Sequence, residues 1–70
     1  MRSGVQALIG ETALVTKAIN GKHQPGTVRL RGEEWFAIPL DPEGLIDLGK
    51  DVVVADVDRG LLVVYPSDSA

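Results

Sequence analysis

The chain contains no cysteine and one histidine, His23. Disulfides and thiolate-ligated zinc are therefore excluded, and stability must come from apolar packing. Catalytic groups are as scarce. A nucleophile needs a base held within hydrogen-bond reach on rigid support. Ser3, Ser67 and Ser69 fall in the terminal stretches, and His23 stands in a loop beside Pro25. No enzyme activity is expected, and no small-molecule substrate, cofactor or metal. The aromatics are Trp35, Phe36 and Tyr65 alone, whereas single-strand nucleic-acid binders combine a cationic groove with several stacking rings. No apolar run approaches the ~18–20 residues of a membrane helix, and no signal-peptide pattern precedes Leu8. The segment is expected to be soluble, and to meet a membrane only through a longer parent chain.

At 70 residues the chain makes one small domain. Its net charge of −3 is unevenly placed. Up to Gly32, Arg2, Lys17, Lys22, Arg29 and Arg31 face only Glu11. Beyond it, Lys50 and Arg59 face nine carboxylates. Pairing between the halves leaves a mixed surface, and the acidic total argues against a nucleic-acid partner. Asp51, Asp56 and Asp58 are oxygen donors close in sequence, but they read better as an acidic edge that discourages strand-to-strand aggregation. Gly4, Gly10, Gly21 and Gly26 lack phosphate-loop spacing and precede no helix.

What is present is strand pattern. Thr27 to Arg31 alternates polar and apolar residues, and Glu34 to Ile38 returns rich in β-formers. Taking Gly32-Glu33 as a type II′ turn pairs Arg31 with Glu34, Leu30 with Trp35 and Val28 with Ala37. Val28, Leu30, Trp35 and Ala37 then share the buried face, with Trp35 as its main anchor. Thr12 to Ile19 is a first strand, with its apolar phase at Leu14 and Ala18, and Asn20 to Gly26 is a connecting loop. Asp41-Pro42-Glu43 permits a helical turn that Gly44 and Gly49 keep short. Leu45, Ile46 and Leu48 are expected to plug one end of the sheet.

Asp51 to Asp58 and Leu61 to Tyr65 are two further strands joined at Arg59-Gly60. That turn pairs Val57 with Leu62 and Ala55 with Val64. Val52 and Val54 also look buried, out of phase with Val57, and a β-bulge near Ala55 reconciles the two sets. The expected core is Val28, Leu30, Trp35, Ala37, Val52, Val54, Val57, Leu62 and Val64. Five short strands around one core give an all-β fold with little or no helix. A small five-stranded OB-like barrel is the economical choice, and an SH3-like barrel is its nearest alternative. Residues 1–7 are expected to be a flexible segment, 8–66 the domain and 67–70 a disordered tail.

Phe36 and Ile38 stand on the nominally wet face of the hairpin, with Arg29, Arg31 and Glu34. Two readings remain open at this point. They are covered by Val5, Leu8 and Ile9 or by the Leu45–Leu48 segment, or they form an exposed patch for a protein partner. The candidate partner surface is Arg29, Arg31, Phe36 and Ile38.

An ordered set of residues adds to this. Leu8-Ile9-Gly10, Pro25-Gly26, Val28, Leu30, Gly32-Glu33, Trp35, Ala37, Gly49, Val52, Val54, Leu62 and Val64 together resemble the C-terminal domain of NfeD-like membrane proteins. The resemblance runs from Leu8 to about Pro66. It departs from the family at Thr12-Ala13, where a second glycine is frequent, and in the polar loop Asn20 to Gln24. It implies an OB-like barrel without the usual helix between the third and fourth strands. It also implies a non-catalytic protein-interaction module at the cytoplasmic side of a prokaryotic membrane, with a stomatin- or flotillin-type scaffold as partner, or self-association. The serine protease domain of longer family members has no counterpart in these residues. An OB-fold nucleic-acid binder is the alternative.

Overall fold

The structure is a computed structural model and describes residues 7–67. Its strands are β1 (Thr12–Lys17), β2 (Ile19–Asn20), β3 (Gly26–Leu30), β4 (Glu33–Pro39), β5 (Leu45–Ile46), β6 (Asp51–Asp58) and β7 (Leu61–Pro66). Five of them close into a barrel in the order β1-β3-β4-β7-β6, with β1 meeting β6, and β2 pairs with β5 as a small separate sheet. Only β4 and β7 run parallel; the other barrel pairs are antiparallel. This is a small OB-like barrel, and no α-helix occurs among the described residues. Of the expected loose ends, 1–6 and 68–70 lie outside the described residues. Ala7 stands in a short 3₁₀ turn, and Ser67 N–H donates to the carbonyl of Asp51 at 3.0 Å.

Two Arg-Gly pairs set the long registers. Arg31 and Gly32 have φ of 54° and 80°, and Arg59 and Gly60 have φ of 55° and 86°. Positive φ at both central residues is the type I′ requirement, and its twist matches that of the flanking strands. The β3–β4 turn is therefore Arg31-Gly32 rather than Gly32-Glu33. The pairs become Leu30 with Glu33, Arg29 with Glu34 and Val28 with Trp35. Moving the turn by one residue shifts the pairing by two, which preserves the facing of every side chain. Val28, Leu30 and Ala37 are buried accordingly.

The β6–β7 hairpin pairs Val57 with Leu62, slips between Val54 and Asp56, and resumes with Val54 opposite Val64. Ala55 is thus the bulged residue, and Val54 rather than Ala55 faces Val64. Val52, Val54, Leu62 and Val64 are buried as a result, with Val57 packed against them. Trp35 is only partly buried and packs on the core from its margin; its indole Nε1 is buried with no acceptor among the described residues.

The first strand departs furthest from expectation. Ala13 and Val15 point inward, because Ala13 faces Val52 and Val15 faces Val28, both in the core. Leu14, expected inside, is 42% exposed, and Ala18 is half-buried. The strand also breaks there. A register slip between Val15 and Lys17 redirects the chain, and Ile19 enters the core on β2. A Cβ on Gly26 would fall on the carbonyl oxygens of Lys17 and Ala18, so glycine is what lets β3 pass the break.

Both barrel ends are stopped by buried aliphatic side chains. Ile46 faces Ile19 across β2–β5, and both are buried. The expected three-residue plug reduces to Ile46, since alternation on β5 turns Leu45 outward and Leu48 lies exposed beyond the strand. At the other end Leu8 is buried, held by Gly10 N–H donating to Val54 O (2.8 Å) and Val54 N–H donating to Glu11 O (2.9 Å).

Candidate functional site

The outer face of β3 and β4 is a product of alternation. With Val28, Leu30 and Ala37 inward, Arg29, Glu34, Phe36 and Ile38 must face out. Arg29 stands between Leu14 and Glu34, and Phe36 lies opposite Thr27. The Thr27 hydroxyl is itself tied to that of Thr16 at 2.7 Å, which fixes the strand beneath the ring. Phe36 is 64% exposed, while Ile38 is half-buried. Leu8, one of its expected covers, enters the barrel instead, and Ile9 is itself exposed. Val5 lies outside the described residues.

Arg31 does not join this face. It occupies the turn, and its Nη2 donates to Glu11 Oε2 at 2.6 Å across the barrel rim. Exposed pairs of this kind contribute roughly 0–1 kcal/mol. The candidate surface that the strands bring together is therefore Arg29, Phe36 and Ile38, with Arg31 apart.

The parallel pairing of β4 with β7 extends this surface. Ala37 faces Leu62 and Ile38 faces Val63, so Phe36 and Ile38 neighbour Leu61 and Val63, both half-buried. Asp56 and Asp58 follow on β6, opposite Val63 and Leu61. An apolar strip thus runs across β4 and β7, bordered by Arg29 on one side and carboxylates on the other. The sequence carried half of this signal. Leu61 and Val63 alternate with the core residues Leu62 and Val64, so their outward facing was readable, but their adjacency to Phe36 was not.

A second apolar feature lies where β4 ends. A groove of about 320 Å³ is lined by segments 39–41, 44–46 and 64–66, among them Leu40, Leu45 and Tyr65. Of these three, the sequence points only to Leu45, in the Leu45–Leu48 loop that is the alternative docking place for a partner; Leu40 and Tyr65 stand out only once the strands are paired. No group of three or more potential metal ligands occurs among the described residues. Asp56 spends an oxygen on the bulge, accepting from Val57 N–H at 2.8 Å.

A closed OB-like barrel with an interior filled by side chains and an apolar strip on its outer wall is the build of a binding domain. The chain belongs to the NfeD-like C-terminal, partner-binding domain family, whose profile matches residues 5–66. Solved structures similar to it include two domains from other proteins. One is the soluble domain of a membrane protein implicated in regulation of membrane protease activity from Corynebacterium glutamicum. It is 31% identical with a TM-score of 0.81, over 87% of this chain and 94% of that one. The other is the C-terminal domain of a stomatin operon partner protein from Pyrococcus horikoshii. It is also 31% identical, with a TM-score of 0.82 over 97% of this chain and all of the other. None of the curated proteins matches this sequence.

Proposed function

We propose that this domain is a non-catalytic interaction module of an NfeD-like membrane protein, held at the cytoplasmic side of a prokaryotic membrane, where it assembles with a stomatin- or flotillin-type scaffold. The observation that carries this is Phe36, a large apolar side chain open to solvent on the rigid wall of a barrel whose family is defined by binding partners. Its neighbours Ile38, Leu61 and Val63 give it an apolar surround, and Arg29 gives the rim a charge. The naming of the Pyrococcus horikoshii relative as a stomatin operon partner supports a stomatin-type protein as the occupant. The non-catalytic reading is supported by the partner-binding description of the family and by His23, the one histidine, which stands exposed in the β2–β3 loop.

The test is an NMR titration or pull-down against a stomatin-type protein, with circular dichroism as the folding control. Phe36→Ser leaves the barrel folded and weakens association by more than about 1 kcal/mol, as truncated interface anchors do. Arg29→Glu acts chiefly on association rate and salt dependence. If Phe36→Ser unfolds the domain, Phe36 belongs to the core. If the variant folds and binds undiminished, the partner docks elsewhere.

A further inference from the structure

The groove at the end of β4 continues the outer face of the Phe36 strip, because the parallel register that sets Ile38 beside Val63 brings Leu40 beside Tyr65 two residues on, but it has its own charge. Its floor is Ile46 and Val64, both buried, and its walls are Leu40, 55% exposed, Leu45, 74% exposed, and Tyr65, 39% exposed. A folded monomer gains nothing from leaving three such side chains around one depression, since isolated surface apolar residues need no explanation but a contiguous set does. The backbone that shapes it is well tied. Leu40 N–H donates to Val64 O at 2.8 Å, Gly44 N–H to Asp41 O at 2.8 Å, and Glu43 N–H to Asp41 Oδ1 at 3.1 Å. Those bonds fix Asp41 at the lip. They also fix the loop that carries Leu45, with Gly21 N–H donating to Gly44 O at 2.9 Å behind it.

The charge around the groove is mostly of one sign. Asp41 lines it, Glu43 and Asp47 adjoin the lining segment 44–46, and Asp51 is joined through its carbonyl to Ser67, next to the lining Pro66. All four are exposed. The nearby cations are Lys50, beside Asp51 in sequence, and Lys22, whose N–H donates to Pro42 O from β2's side of the loop. Carboxylates thus outnumber ammonium groups around an apolar depression.

We infer that this groove is a second docking site, taking a short extended peptide with aliphatic side chains at its centre and lysine or arginine on its flanks. The aliphatic groups fill the space between Leu40, Leu45 and Tyr65. The flanking cations lie against Asp41, Glu43 and Asp47, which sets the partner's sign and excludes an acidic peptide. The inference does not rest on the scaffold reading of the Phe36 strip, which lies further along the same face.

The probe is a synthetic hexapeptide with a Leu-Val-Leu centre and terminal lysines, compared with the same centre carrying glutamates, titrated into the ¹⁵N-labelled domain. The cationic peptide shifts the amides of Leu40, Leu45 and Tyr65, leaves that of Phe36 unmoved, and binds more weakly as salt is raised. Leu45→Ser weakens it about tenfold, equal to the loss of one apolar anchor. Should that variant fold poorly, Glu43→Lys with Asp47→Lys keeps the apolar walls and reverses the preference between the two peptides. Equal binding of both peptides by the parent domain overturns the inference, as do shifts centred on Phe36 or undiminished binding by a folded Leu45→Ser. Because no scaffold protein is present, these outcomes leave the Phe36 reading untouched.

Discussion

Arg59 takes φ of 55° at the β6–β7 turn, a region where a residue with a bulky side chain is disfavoured by roughly 1 kcal/mol or more and asparagine is tolerated. Arg59→Asn creates the Asn-Gly pair preferred in type I′ turns and raises stability by about 0.5–1 kcal/mol. Arg31→Asn gains less, since it gives up the ion pair with Glu11. Urea midpoints of the two variants check the order, and a drop for Arg59→Asn would mean that its side chain makes a contact worth more than the strain. Trp35 supplies a second contrast. Its ring packs on the core while its Nε1 has no acceptor among the described residues. Trp35→Ala removes the ring and costs about 3 kcal/mol. Trp35→Phe keeps most of the ring and removes the unpaired donor, so it costs under about 1 kcal/mol. Equal losses for the two variants would show that the indole nitrogen is satisfied.

At the scale of elements, the break between β1 and β2 is the least ordinary feature. One chain leaves the barrel wall at Ala18 so that Ile19 can close its end, and β3 must pass beneath it. Gly26 makes the passage possible, because a Cβ there would meet backbone oxygens rather than a side chain that can swing away. Gly26→Ala therefore costs about 1–3 kcal/mol, the usual range for overpacking, at a position where the sequence suggests only a loop glycine. Thermal unfolding measures the loss, and amide exchange places it on β1–β3 and β2–β5. Tolerance of alanine with no change in midpoint would mean that the Lys17–Ala18 segment can shift aside. The bulge at Ala55 is different in kind: it is absorbed within one hairpin and serves to bring Val52, Val54 and Val57 to the same core.

For the whole molecule, the barrel interior is filled with side chains, so a partner has only the outer wall to meet. Aromatic platforms are few: Trp35 is engaged with the core, Phe36 stands among aliphatic neighbours, and Tyr65 lines the groove at the end of β4. With a net charge of −3, binding to single-stranded DNA or RNA at physiological salt is expected to be negligible. A fluorescence-anisotropy titration that gave micromolar affinity, weakening steeply with salt, would transfer the OB-like barrel to nucleic-acid recognition and displace the protein-partner reading.

The amino-acid sequence by itself determined which residues of the two hairpins face inward, because a period of two survives even a misplaced turn. Val28, Leu30 and Ala37 keep their side whether the turn is Arg31-Gly32 or Gly32-Glu33. It determined the bulge as well, since Val52, Val54 and Val57 cannot share a face without an extra residue between them. What only the tertiary structure decided is everything that depends on which strands meet across long stretches of chain. Leu14 is outside because Ala13 and Val15 are matched to Val52 and Val28, and nothing within Thr12 to Lys17 distinguishes the two phases. Leu45 is outside because β5 pairs with β2 through Ile46 and Ile19. The apolar strip exists because β4 and β7 lie parallel and adjacent, a contact between segments separated by β5 and β6. Local alternation sets the face of a side chain; the choice of neighbouring strand, a matter of long-range packing, sets whether that face is core or surface and what lies beside it.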